Sequence, residues 1–130
     1  MVTREDIESW LGRLASEGVT AREVSEGLWV LNASPDAPEL AVHYNPPVLV
    51  LRVKVLELGD GSKPELYRRL LELNATDLVH GSYGIDGNSV VLSDALELEN
   101  LDFAEFQASY DSIMLALASH LTALAPYRQA

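Results

Sequence analysis

The sequence contains no cysteine, which excludes disulfides, thiolate metal sites and cysteine nucleophiles. It has no uninterrupted run of about eighteen apolar residues, the length a membrane-spanning helix needs, and no basic-then-apolar leader at its N-terminus. A cytoplasmic protein with no membrane partner is therefore expected. Basic residues are scarce: nine Lys and Arg stand against twenty Asp and Glu, for a formal charge of −11. A charge of that sign repels phosphate backbones, and no basic stripe offsets it locally, so nucleic acid is not an expected partner. Excess negative charge also keeps a protein soluble, or steers a basic partner toward it.

Hydrophobic residues make up 48% of the 130-residue chain. That length suits one domain that buries about two thirds of its unfolded surface. No internal repeat and no long linker divides it, so residues 1–130 are expected to form a single α+β domain.

The chain is organised around Leu70 to Leu98. Leu66, Leu70 and Leu73 recur at helical spacing, and Asn74 stands where a helix commonly stops, because Asn tolerates the left-handed conformation of a C-terminal cap. Val79, Tyr83 and Ile85 then share one face of a period-two segment. Asp86-Gly87-Asn88 supplies hairpin-turn chemistry, and Val90 and Leu92 alternate with Ser89, Val91 and Ser93 on the way back. Gly81 and Gly84 weaken the outgoing strand and point either to a bulge or to the close approach of another backbone.

Upstream, Thr3 and Asp6 form a capping box for a first helix with Ile7, Trp10, Leu11 and Leu14 on its apolar face, ended by Gly18. Arg22 to Ala33 alternates as one strand, with Val24, Leu28 and Val30 on one side, Trp29 and Leu31 on the other, and Gly27 as a bulge. Turn residues follow in Asn32 to Glu39, then a short strand from Leu40 to Tyr44 and a break at Asn45-Pro46-Pro47. Val48 to Leu58 is the most strand-like segment: Leu49, Leu51, Val53 and Val55 face one way, Arg52 and Lys54 the other, as expected of a central strand. Ser62 and Glu65 suggest a second capping box, with Pro64 tolerated in the first helical turn.

Leu96 and Leu98 extend or restart the return strand. Asp102 and Glu105 then cap a long helix from about Phe103 to Ala125, whose stripe of Phe103, Phe106, Tyr110, Ile113, Leu117, Leu121 and Leu124 faces a core. Ile113 to Ala118 is apolar nearly all round, which marks Met114 and Leu115 as deeply buried or as half of an interface. The expected fold is α+β: an antiparallel sheet of five to six strands with three helices, in the order α-β-β-β-α-β-β(-β)-α.

No residue set makes a persuasive catalytic or metal site. His43, His80 and His120 are each alone in sequence, without a second ligand at helical spacing. His80 beside Ser82 lacks an orienting acid and an oxyanion turn. Gly59-Asp60-Gly61-Ser62-Lys63 lacks the ending of a phosphate loop, and the run from Asp86 fails the calcium-loop pattern at Val90. No cofactor is expected.

The element order, the Leu70-Leu71-Glu72-Leu73-Asn74 helix end, the hairpin through Gly84 to Leu92 and the long helix after Leu98 resemble the secretion chaperone-like families, which include the type III secretion (Tir) chaperones and the YbjN group of sensory transduction regulators. The resemblance implies a non-enzymatic homodimer that holds a client polypeptide. It places the dimer contact on the middle helix and neighbouring strands, here Leu66, Leu70, Leu71 and Leu73 with Tyr83 or Val91. A different expectation is a small-ligand-binding domain or small enzyme, with His43, His80, Tyr83 and sheet carboxylates around a pocket beneath the long C-terminal helix.

Overall fold

A computed structural model describes residues 1–128. Helix α1 (Arg4–Ala15) is followed by strands β1 (Thr20–Ser25), β2 (Leu28–Asn32), β3 (Leu40–Asn45) and β4 (Val48–Glu57). Helix α2 (Pro64–Thr76), strands β5 (Ser82–Asp86) and β6 (Ser89–Glu97), and helix α3 (Phe103–Leu124) complete the order, with a single 3-10 turn behind α3. The six strands form one antiparallel sheet in the order β1-β2-β3-β4-β6-β5. This is the expected α+β fold of three helices on an antiparallel sheet, and β4 is central.

Three local expectations change. The alternating stretch from Arg22 to Ala33 is two strands, because Gly27 sits at φ 74 in the turn between β1 and β2 and is no bulge. The register shift lies inside β1 instead, between Glu23 and Ser25. The return strand runs unbroken to Glu97, so no further strand restarts at Leu98.

Alternation decides which sheet face is covered. Trp29, Leu31, Leu40, Val42, Leu49, Leu51, Val53 and Leu92 point to the helices and join one core with Ile7, Leu11 and Leu14 of α1, Leu66, Leu70 and Leu73 of α2, and Phe106, Ile113, Leu117 and Leu124 of α3. A register shift between Lys54 and Leu56 turns two successive residues, Val55 and Leu56, inward. All three helices therefore pack on one side.

Helix α1 begins with the expected reciprocal box: Thr3 Oγ1 accepts from the Asp6 amide at 3.2 Å, and the Thr3 amide donates to Asp6 at 2.8 Å. The Thr3 amide and, at 3.0 Å, the Thr3 hydroxyl both bond the Asp6 carboxylate and hold it below its usual range, the amide contributing most. Trp10 stacks on Phe106 at 5.7 Å and closes the seam between α1 and α3. Asp102 caps α3 by accepting from the Glu105 amide at 2.8 Å. The Ser62 and Glu65 box does not form: Lys63 is the N-cap, without a side-chain bond, and Pro64 opens α2. Pro is suited to that place because its missing N–H would have no helical partner there.

Helix α2 also runs past Asn74 to Thr76, so Asn74 is not a left-handed cap. Val79 lies outside β5 and is 84% exposed. Of the two explanations, close approach holds for Gly81, just before β5, where a Cβ would stand 2.7 Å from the Ser93 carbonyl oxygen; Gly84 fits neither, since β5 and β6 pair without a register shift and a Cβ there would meet nothing within 4 Å.

Candidate functional site

The sheet face turned away from the helices is bare. Cross-strand partners place Arg22, Val30, Ala41, Arg52, Ser93 and Ser82 in one row across all six strands. The adjacent row holds Leu28, His43, Val50 and Ala95. Leu28, Val30, Ala41 and Val50 are only half-buried and belong to no core. A hollow of about 320 Å³ on this face is lined by Leu28, Ala41, His43, Asn45, Val50 and Arg52. Alternation alone explains a polar outer face on an antiparallel sheet; it does not explain a ladder of Leu and Val there.

Arg52 is held by Asp86 of β5 at 3.0 Å, and Lys54 by Glu57. The Lys54 hydrogen bond is the main reason the Glu57 carboxyl lies below its usual range. Both pairs are exposed and screened, so they orient the rim of the face more than they stabilise it.

A second apolar surface lies between α2 and β5. Tyr67, Leu70, Leu71, Asn74, Tyr83, Gly84 and Ile85 line a groove of about 230 Å³. Leu71 is 68% and Ile85 53% exposed, and Leu115, on the outward side of α3, is 73% exposed. Among the residues named from sequence as contact candidates, Leu71 and Leu115 thus stand in solvent and Met114 is half-buried. Leu66, Leu70, Leu73 and Tyr83 face the core of the chain itself. Val91 is buried on the opposite, outer face, between Lys54 and Gly84.

One polar cluster was invisible in sequence. His120 is 4% exposed on α3; its Nδ1 meets the Tyr83 hydroxyl at 2.7 Å and its Nε2 meets Asp77, just past α2, at 3.2 Å. A carboxylate only accepts, so Nε2 carries the proton and Nδ1 accepts from the phenol. The order hydroxyl, imidazole, carboxylate is that of an activated nucleophile. Burial, helped by the Asp77 charge, pushes the Tyr83 phenol up to about 12, the opposite of activation. With Tyr83 itself 6% exposed, the chain of bonds ties β5, α2 and α3 together and does no chemistry.

A parallel tie joins α3 to β6. Ser109, fully buried, donates to Asp94 at 2.7 Å, and His80 approaches the same carboxylate at 3.8 Å. Asp94 stands between the hydroxyl and the imidazole, an order that cannot relay a proton from Ser109 to His80. His43 lies on the outer sheet face while Tyr83 lies on the inner one, so the pocket imagined around His43, His80 and Tyr83 is not assembled. Among the described residues no three His, Asp or Glu side chains are grouped to hold a metal ion, and no helix is long and apolar enough to cross a membrane.

Comparison with known proteins agrees with this geometry. A chain in the heterodimeric ExoU–SpcU complex from the type III secretion system of Pseudomonas aeruginosa superposes with a TM-score of 0.68 at 17% identity, covering 95% of this chain and 98% of that one. A chain of the HopA1–SchA chaperone–effector complex gives 0.61 at 13% identity, with 100% of both covered. The Yersinia pestis type III secretion chaperone SycH, in complex with a stable fragment of YscM2, gives 0.57 at 16%, with 89% and 98% covered. No curated protein matches the sequence. The CesT_Tir_1 family model spans residues 2–130. The chain therefore belongs to the CesT_Tir_1 family, and its fold is that of the type III secretion chaperone structures it superposes on.

Proposed function

We propose that the protein is a cytoplasmic homodimeric chaperone that holds an unfolded segment of an effector-like client on the bare face of its sheet. The observation that carries this is the exposed ladder of Leu28, Val30, Ala41 and Val50 on a face no helix covers. A client segment with apolar residues at alternate positions buries that ladder, and burial of apolar area drives such association without any chemistry. The HopA1–SchA structure is a chaperone–effector complex and the ExoU–SpcU structure a heterodimeric complex from a type III secretion system, which supports the reading.

The second copy docks at the α2 and β5 groove, where Leu71 and Ile85 are exposed beside one another. An isologous contact there places each Leu71 against the partner's groove. The −11 charge disfavours like-charged surfaces, and this groove is lined by no carboxylate.

The test uses tagged protein from its native cells, as wild type, Val50→Asp and Leu71→Glu. Wild type is expected at twice the 14.2 kDa chain mass plus the mass of one bound polypeptide. Val50→Asp should keep the dimer and lose the polypeptide, and Leu71→Glu should give the monomer mass. A polypeptide retained equally by Val50→Asp would overturn the sheet face as the client surface, and a monomeric wild type would overturn the dimer.

A further inference from the structure

The sheet has two edges, β1 and β5. An edge strand presents unpaired N–H and C=O groups, a template for any extended polypeptide. On β5 that template is occupied. The Tyr83 amide donates to Asn74 Oδ1 at 2.7 Å, and Asn74 Nδ2 donates to the Tyr83 carbonyl at 3.2 Å. A side-chain amide offers the same donor and acceptor as a peptide group, so Asn74 fills the place of one residue of a seventh strand. It is held there by its own helix, since Leu66, Leu70 and Leu73 anchor α2 in the core.

The other edge has nothing comparable. All six residues of β1 are exposed, and among the described residues no side chain is bonded to its main chain; the Thr20 hydroxyl reaches inward to Asn32 and Glu23 takes the Gly27 amide.

We infer that Asn74 is a strand-edge plug: it bars polypeptide from adding to β5, so that a second copy meets this side through the Leu71 and Ile85 side chains and not by continuing the sheet. The side-chain contact rests on the dimer proposed above, whereas the plug itself does not. In five residues β5 has one free-edge site at Tyr83 and one at Ile85, two positions on. Closing the first leaves too short a template for a strand to add.

Amide hydrogen exchange reads the plug whatever the oligomeric state. Asn74→Ala suits the test because Ala favours the helix at that position. In wild type the Tyr83 amide is expected to be protected although it faces away from β6. In Asn74→Ala its exchange should rise by roughly tenfold, the equivalent of one net hydrogen bond, while β6 amides stay unchanged. Sedimentation velocity of the same variant should show concentration-dependent species larger than those of wild type, formed through the opened edge. Tyr83 exchange unchanged in Asn74→Ala would overturn the plug. Faster exchange with no added association would overturn its role as a barrier.

Discussion

The two faces of the sheet are built from the same strands and differ in what covers them. On the inner face Leu49, Leu51 and Val53 of β4 are at most 1% exposed beneath three helices. On the outer face Val48 and Val50 of the same strand are half-buried, with no helix above them. Apolar side chains on the first face are explained by folding. Those of Val48 and Val50 on the second stay partly exposed to solvent, and the client segment proposed above would cover them.

The contrast can be broken from the inner side first. Leu51→Ala should cost about 2–5 kcal/mol, through lost transfer energy and the cavity left between β4 and the helices; a loss of less than about 1 kcal/mol in urea unfolding would show the inner face to be loosely packed. Next in size is the alkaline limb of stability. The folded state holds the Tyr83 proton more tightly than the unfolded chain, so its contribution is complete below pH 10 and is lost as pH rises toward about 12, about 2–3 kcal/mol by linkage. Tyr83→Phe should remove that limb, and a urea series from pH 9 to 12 checks it.

Smaller still is the cap that seats α1 over the inner face. Thr3→Ala should cost about 1 kcal/mol and fray the first turn, visible as faster exchange of the Asp6 amide. Least of all is Val50→Thr on the outer face, expected within about 0.5 kcal/mol of wild type but weaker in client capture. A large stability loss from Val50→Thr would erase the distinction between the faces.

Much of the architecture was legible in sequence. The alternation of Leu49, Leu51, Val53 and Val55 against Arg52 and Lys54 assigned the inner face of β4 correctly, because a period of two admits only one buried set. The Thr3 and Asp6 box and the α3 stripe were equally readable, being local patterns within a helical turn or two. Gly27 was not: a glycine in an alternating run looks the same whether it bulges a strand or turns it, and the tertiary pairing of β1 with β2 decides. The Ser62 and Glu65 box failed for a related reason, since Pro64 sets the helix start by its own fixed φ.

The surfaces were less legible. Leu70, Leu71 and Leu73 are three leucines in four positions, and sequence cannot say that Leu71 alone stands in solvent; that depends on how α2 rotates onto the sheet. His120 reads as an isolated histidine because Tyr83 and Asp77 lie 37 and 43 residues away. Asn74 reads as a helix cap, and only the approach of β5 makes it a partner for Tyr83.

By itself the sequence determined the element types, the inner face of the central strand and the absence of thiol chemistry, since each follows from residue identity or from a period shorter than a few residues. Tertiary structure alone decided that all three helices share one side, that a ladder of Leu and Val is left bare on the other, and that Asn74 closes one edge of the sheet. Those properties depend on contacts between residues far apart in the chain, and no local pattern encodes which distant partner arrives.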